Sequence, residues 1–244
     1  MSIVLNNNEV RAFNAADDPK KLRLSEPRSA YGSVFANVCH DKKSLALVLP
    51  AMQLAWDPST YDPASKNAKT TIDLDLKHAQ QYGAVEQAYQ MMRAIDDRVA
   101  ALVVENRDKI VPLMKRAGPM ARSDEQVKAC YQPCTRLRTS TKSDRAWAPR
   151  LTCTVTGARF LGGADTATLA KGDVVRCVIQ ATALCSKAEK VTLSWRVLQI
   201  RKQPEGLGYP DQDKTEKEVF GVSLSGEDNG EGGHAAMDLT VDLV

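Results

Sequence analysis

Few side chains in this sequence are spaced for catalysis. The three histidines, His40, His78 and His234, lie far apart, and none has a neighbour at the spacing that metal or nucleophile chemistry needs. No Gly-x-x-x-x-Gly-Lys-Ser/Thr phosphate loop, Gly-x-Ser-x-Gly elbow or Gly-x-Gly-x-x-Gly turn occurs. Cys130 and Cys134, taken with Cys39 and His40, offer the thiolate and imidazole ligands that zinc accepts. A second close pair is missing, so buried or idle thiols are the simpler account. Asp73 and Asp75 could hold magnesium, yet alternate acids on the wet side of a strand need no metal to explain them. The expectation is a protein that is not an enzyme and carries no metal and no cofactor.

Binding a polyanion asks for less: cations that follow phosphates, and flat rings on which unpaired bases stack. Residues 135–150 hold Arg136, Arg138, Lys142, Arg145 and Arg150 against one acid, Asp144, with Trp147 between the last two arginines. This stretch has no apolar periodicity and reads as an exposed basic loop; nucleic-acid contact and plain solvation both fit it. Arg176 and Arg196 fall on the polar phase of two strand-like runs, and Arg201 and Lys202 close the second. These ten residues are the candidate nucleic-acid-binding set. Aromatic residues make up only 5% of the chain, so rings for stacking are few. Trp195 sits on an apolar phase and belongs to the core, which leaves Trp147, Tyr131, Trp56 and Tyr61.

The elements that must position these residues follow from periodicity. Short strands are expected over 31–39, 44–50 and 51–56. In 71–76 polar and apolar residues alternate, placing Ile72, Leu74 and Leu76 on a buried face and Asp73 and Asp75 on the other. From 84 to about 110, Val85, Ala88, Tyr89, Met92, Ile95, Val99, Leu102 and Val103 recur every three or four residues, the pattern of one long amphipathic helix. Its water-facing side carries Glu86, Gln87, Arg93, Asp96, Asp97, Arg98, Glu105 and Arg107. Ser123, followed by Asp124 and Glu125, starts a short helix through Cys130. Three alternating strands follow, led by Leu151, Val175 and Val191, and the phase of the last one breaks at Leu198 and Ile200, which predicts a bulge or a change of face near Val197. Gly162-Gly163 and Lys171-Gly172 supply turns.

At 43% hydrophobic content the chain can bury a full core, and no run approaches the ~20 apolar residues of a membrane span. The start, Met1 to Glu9, lacks the features of a signal peptide. An intracellular, reducing compartment is therefore expected. The net charge of +3 conceals a split. Residues 203–244 carry Lys214 and Lys217 against ten acids, whereas residues 1–202 carry 31 basic and 20 acidic residues. A basic body with an acidic appendage is a pointer to polyanion binding, since clustered cations gain by counterion release and a mobile acidic tail competes for them. The expected organisation is a flexible N-terminal arm over 1–30, a binding domain over 31–202, and an acidic, mostly flexible tail over 203–244 in which 219–224 could add a strand.

The run VTLSWRVLQIR at 191–201, preceded by GDVVRCVI at 172–179, resembles the C-terminal strand pair of a family of small proteins from nucleocytoplasmic large DNA viruses. The blocks at 45–50 and 72–76, the long helix and Tyr131-Gln132-Pro133 come in that family's order, so the resemblance spans about residues 31–202. It implies an OB-like fold that binds single-stranded DNA in genome replication or repair, in host cytoplasm or nucleus, with the acidic tail modulating affinity or recruiting replication proteins. The expected fold class is α+β, mainly β: an OB-like, partly closed antiparallel barrel or sheet with one long amphipathic helix packed on it. RNA in place of DNA, a homo-oligomer, and a virion structural or scaffold protein binding an acidic partner stay open beside it. No membrane partner is expected.

Overall fold

Two long runs of alternating apolar and polar residues build the centre of the fold, an antiparallel hairpin over 174–187 and 190–202. The computed structural model describes residues 10–13, 18–30, 33–40, 42–65, 68–77, 82–110, 123–135, 138–139, 146–147, 149–187 and 190–204. In chain order the strands are β1 Val10–Phe13, β2 Leu22–Leu24, β3 Arg28–Ala30, β4 Ser33–Ala36, β5 Val38–His40, β6 Lys43–Val48, β7 Met52–Gln53, β8 Ser59–Tyr61 and β9 Lys69–Asp75. After the helical region come β10 Tyr131–Gln132, β11 Arg138–Thr139, β12 Ala146–Trp147, β13 Arg150–Thr154, β14 Arg159–Leu161, β15 Val174–Lys187 and β16 Lys190–Lys202. The helices are α1 Gly83–Glu105, α2 Arg107–Ile110 and α3 Asp124–Cys130. The architecture is mixed α+β and mainly sheet.

The main sheet runs β2-β5-β6-β15-β16-β13-β9-β8. β15 is antiparallel to β6 and β16, and β13 is antiparallel to β9. The free edge of β16 is taken in turn by β10, β13 and β14, all parallel to it. One further tie crosses the sheet. β7 pairs with the start of β15, and immediately after it Leu54 bridges Leu74 while the Ala55 N–H donates to the Asp73 carbonyl at 2.8 Å. The segment leaving β7 therefore bonds to β9, which is otherwise reached from β15 only through β16 and β13.

The expected arm over 1–30 is overturned for its described residues. Val10–Phe13 lies parallel to β6, β2 pairs with β5, and β3 pairs with β4. Leu22 is wholly buried. The polar composition of this stretch hides its pairing, and for β1 the parallel contact with a distant segment leaves no local signature either.

Helix α1 lays Val85, Ala88, Met92, Ile95, Val99, Leu102 and Val103 into the same core as Leu45, Leu47, Ile72, Leu74, Leu151, Cys153, Ile179, Trp195 and Val197. Each fully buried aliphatic side chain contributes about 1.5–3 kcal/mol. The helix stops sooner than its periodicity predicts. Asn106 leaves helical geometry, and both its backbone N–H and its side-chain amide donate to the Leu102 carbonyl, so residues 107–110 form a separate turn. Ser123 starts α3 with a reciprocal cap: its hydroxyl accepts from the Gln126 N–H at 3.3 Å, and the Gln126 side chain accepts from the Ser123 N–H at 3.0 Å.

Asp96 departs most sharply from expectation. Charge alone assigns it to the wet side of α1, yet it is 2% exposed. Its Oδ1 accepts from the Tyr131 hydroxyl at 2.6 Å and the Cys134 N–H at 3.0 Å, while its Oδ2 accepts from the Thr135 N–H at 3.1 Å, the Thr135 hydroxyl at 2.8 Å and the Cys134 thiol at 3.3 Å. One carboxylate thus fastens residues 131–135 to the middle of the helix.

None of the six cysteines forms a disulfide. Burial pushes the thiols of Cys153 and Cys177 above the ordinary range, and burial followed by the nearby Asp96 carboxylate does the same to Cys134 and the Tyr131 phenol. These groups stay protonated in the fold but ionise in the unfolded chain near pH 8.5 for thiols and about 10 for the phenol. Their contribution to stability is complete below those values and is lost as pH rises through them. Urea denaturation should show a midpoint that falls steadily from pH 8 to pH 10; a flat midpoint across that range would contradict this burial.

Candidate nucleic-acid interface

Register decides which side chains share a face, because residues directly opposite in a ladder point the same way and neighbours along a strand alternate. On β15, Cys177, Ile179 and Ala181 face the core, so Arg176, Val178 and Gln180 point to the opposite side of the sheet, where all three are still buried. Opposite them on β16 stand Arg201, Gln199 and Arg196. Arg196 is also level with Thr154 of β13, which puts Thr154, Thr152 and Arg150 on this surface, and they meet Thr71, Asp73 and Asp75 of β9. Arg150, Arg176, Arg196 and Arg201, from β13, β15 and β16, therefore occupy one face of the sheet. The row from Arg150 to Arg201 runs nearly along the strands, over on the order of 25–30 Å at ~3.3 Å per residue.

A bulge makes this possible. Val178 pairs with Gln199, but Ile179 pairs with Val197, leaving Leu198 unmatched. Strict alternation would send positions 196 and 201 to opposite sides; the extra residue resets the count and returns Arg201 to the face of Arg196.

The four arginines are held differently. Arg196 is exposed and its Nε donates to Gln180 Oε1 at 2.8 Å. Arg176 is 8% exposed and Arg201 is half-buried. Arg150 Nε stands 3.5 Å from Asp73 Oδ2, and the Thr152 hydroxyl donates to the other oxygen of that carboxylate, so the charge of Arg150 is partly balanced. Asp75 is buried rather than solvated: Lys77 bonds it through its backbone N–H at 2.8 Å and its ammonium at 2.9 Å. Lys202 does not join the row. It is level with Val175, a core position, and its ammonium is bound by Asp173 at 2.8 Å and the Thr168 carbonyl at 3.2 Å.

Arg136, Lys142 and Arg145 lie outside the described residues, as do His78, His234 and the tail from 205. Arg138 and Trp147 are described by their backbone alone and stand opposite each other in the two-stranded β11–β12 ladder. The ends of the expected loop are thus a strand pair, which the lack of an apolar run conceals.

Among the rings, Trp195 is 2% exposed and in the core. Tyr131 is withdrawn from stacking by burial and its bond to Asp96. Trp56 and Tyr61 are exposed, by 38% and 85%. The Lys171 ammonium lies 4.9 Å from the centre of the Trp56 ring and the Arg150 guanidinium 5.9 Å from it. Lys171 was absent from the sequence-derived set, since a lysine in a Gly turn reads only as a turn.

No group of three or more His, Cys, Asp or Glu side chains able to hold a metal occurs among the described residues. Nor is any helix among them long and apolar enough to cross a membrane. No protein-family model matches the chain, and no curated protein matches it.

Proposed function

We propose that this protein binds single-stranded DNA, without sequence preference, along the polar face of its main sheet. The observation that carries the reading is the register: arginines 150, 176, 196 and 201 come from three separate strands and share one face. Clustered cations bind a polyanion by releasing condensed counterions, and exposed rings beside them can take unpaired bases. The fold is read as an OB-like, partly closed barrel: β15, β16, β13 and β9 pair in succession, and the segment after β7 joins β9 back toward β15. The resemblance of 172–201 to the viral family supports a role in genome replication or repair. Residues 203–244, with ten acids against two lysines, act as an internal competitor for the basic face or as a docking point for replication proteins.

Fluorescence anisotropy with a labelled oligonucleotide, single- and double-stranded, at two salt concentrations tests this. Single strands should bind more tightly than duplex, and the logarithm of the affinity should fall linearly with the logarithm of salt. A chain ending at Pro204 should bind more tightly than the full chain. Equal affinity for duplex and single strand, or no retention at low salt, would remove the proposal; capture of an acidic peptide in its place would favour a scaffold role.

A further inference from the structure

We infer that Trp56 is a stacking seat for an unpaired nucleobase, with Lys171 and Arg150 as the phosphate contacts beside it. This rests on the proposed single-strand binding and specifies which part of the nucleic acid is recognised at one end of the basic row. Three observations lead there. The ring is exposed, although an indole is costly to leave in water when a core is available. It stands at the Arg150 end of the row, since Ala55 is bonded to Asp73, the carboxylate that Arg150 meets. The chain on both sides of it is fixed.

The fixing involves two turns that brace each other. The Lys171 N–H donates to Asp57 Oδ1 at 2.7 Å, the Gly172 N–H donates to the Leu54 carbonyl at 2.9 Å, and the Gln53 amide donates to the Gly172 carbonyl at 2.9 Å. Gly172 holds φ at +92°, a conformation that glycine takes without strain. Asp173, the next residue, accepts from the Ala170 N–H and from Lys202. Segment 53–57 and turn 170–173 thereby carry Lys171 to the Trp56 ring. Asp57 is a positioning residue in this arrangement, acting through the Lys171 backbone.

A cation near an exposed ring is worth only about 0.5–1 kcal/mol, a small return for two braced turns. A nucleobase gains more by stacking; it would take the ring face from the two cations that lie over it and leave them for its phosphates. Base faces are covered by their neighbours in a duplex and open in a single strand, so the seat also accounts for strand preference.

The test is anisotropy titration of the full chain and its variants with a labelled oligothymidylate and with the same backbone carrying abasic sites. W56A should weaken binding to oligothymidylate about tenfold to a hundredfold, the range of one stacked base. W56F should recover most of the affinity while losing part of the tryptophan quenching seen on saturation. On the abasic strand, wild type and W56A should bind alike. Melting curves of both variants near that of wild type show that the fold is kept. If wild type binds and R196A weakens it, yet W56A binds oligothymidylate like wild type, the Trp56 assignment alone is overturned. If wild type fails to bind any single strand at low salt, the proposed function falls and takes this seat with it.

Discussion

Replacing Asp96 with alanine should lower the stability of the fold by about 3–5 kcal/mol, the cost of removing one partner from a buried charged network. The carboxylate satisfies the Tyr131 and Thr135 hydroxyls, the Cys134 and Thr135 N–H groups and the Cys134 thiol. Tyr131 and Thr135 are buried, and each buried donor left unsatisfied costs about 1–3 kcal/mol before relaxation. Thermal unfolding should shift downward by roughly 10 °C for a chain of this size. D96N is informative beside it: size is kept, but an NH2 group now confronts donors, so most of the loss should persist. Y131F removes one donor and keeps the acceptor, and should cost only about 1 kcal/mol. Urea denaturation of the three variants gives the order; a D96A midpoint within 1 kcal/mol of wild type would mean that the segment 131–135 is not fastened through this carboxylate.

The second large effect concerns binding. The double variant R196A/R201A should reduce affinity for single-stranded DNA by roughly twentyfold to thirtyfold at 0.1 M salt. Each phosphate contact contributes a salt exponent of about 0.7 on single strands, close to a factor of five at that concentration. The slope of log affinity against log salt should flatten by about 1.4 in the same titration. Both residues lie on the polar face, and Arg196 meets an amide rather than a carboxylate, so its charge remains available. Arg150 should matter less electrostatically, because Asp73 already balances it in part. An unchanged slope for the double variant would detach these arginines from any phosphate path, whatever happens to the affinity.

How much of this was legible in the sequence varies with the range of the interaction. Leu151, Cys153, Val191, Leu193, Trp195 and Val197 are buried, and their alternation with polar residues is a local signal that the sheet obeys. The break near Val197 was also legible, because Leu198 and Ile200 both fall off the phase of Trp195 and Val197; that it carries Arg201 to the face of Arg196 follows only from pairing. Asp96 sets charge against position: its charge points to water, yet Met92, Ile95, Val99 and Val103 surround it at helical spacing and place it within the apolar stripe. An acid in such a stripe signals a buried acceptor, and that clue was present. The seat at Trp56 was only half legible: the ring was a candidate, but the approach of Lys171 depends on contacts across more than a hundred residues.

The place of β16 has a consequence for biosynthesis. This strand carries β15 along one edge and β10, β13 and β14 along the other, and it follows every one of them in the chain. Until its residues leave the ribosome, those earlier strands have no central partner, and their apolar sides must wait against α1 or a chaperone. Non-local pairing of this kind slows folding and exposes intermediates to aggregation. A nascent chain halted before Lys190 would present unfinished edges to its neighbours, so the hairpin of β15 and β16 acts as a keystone set only after every strand it joins has been made.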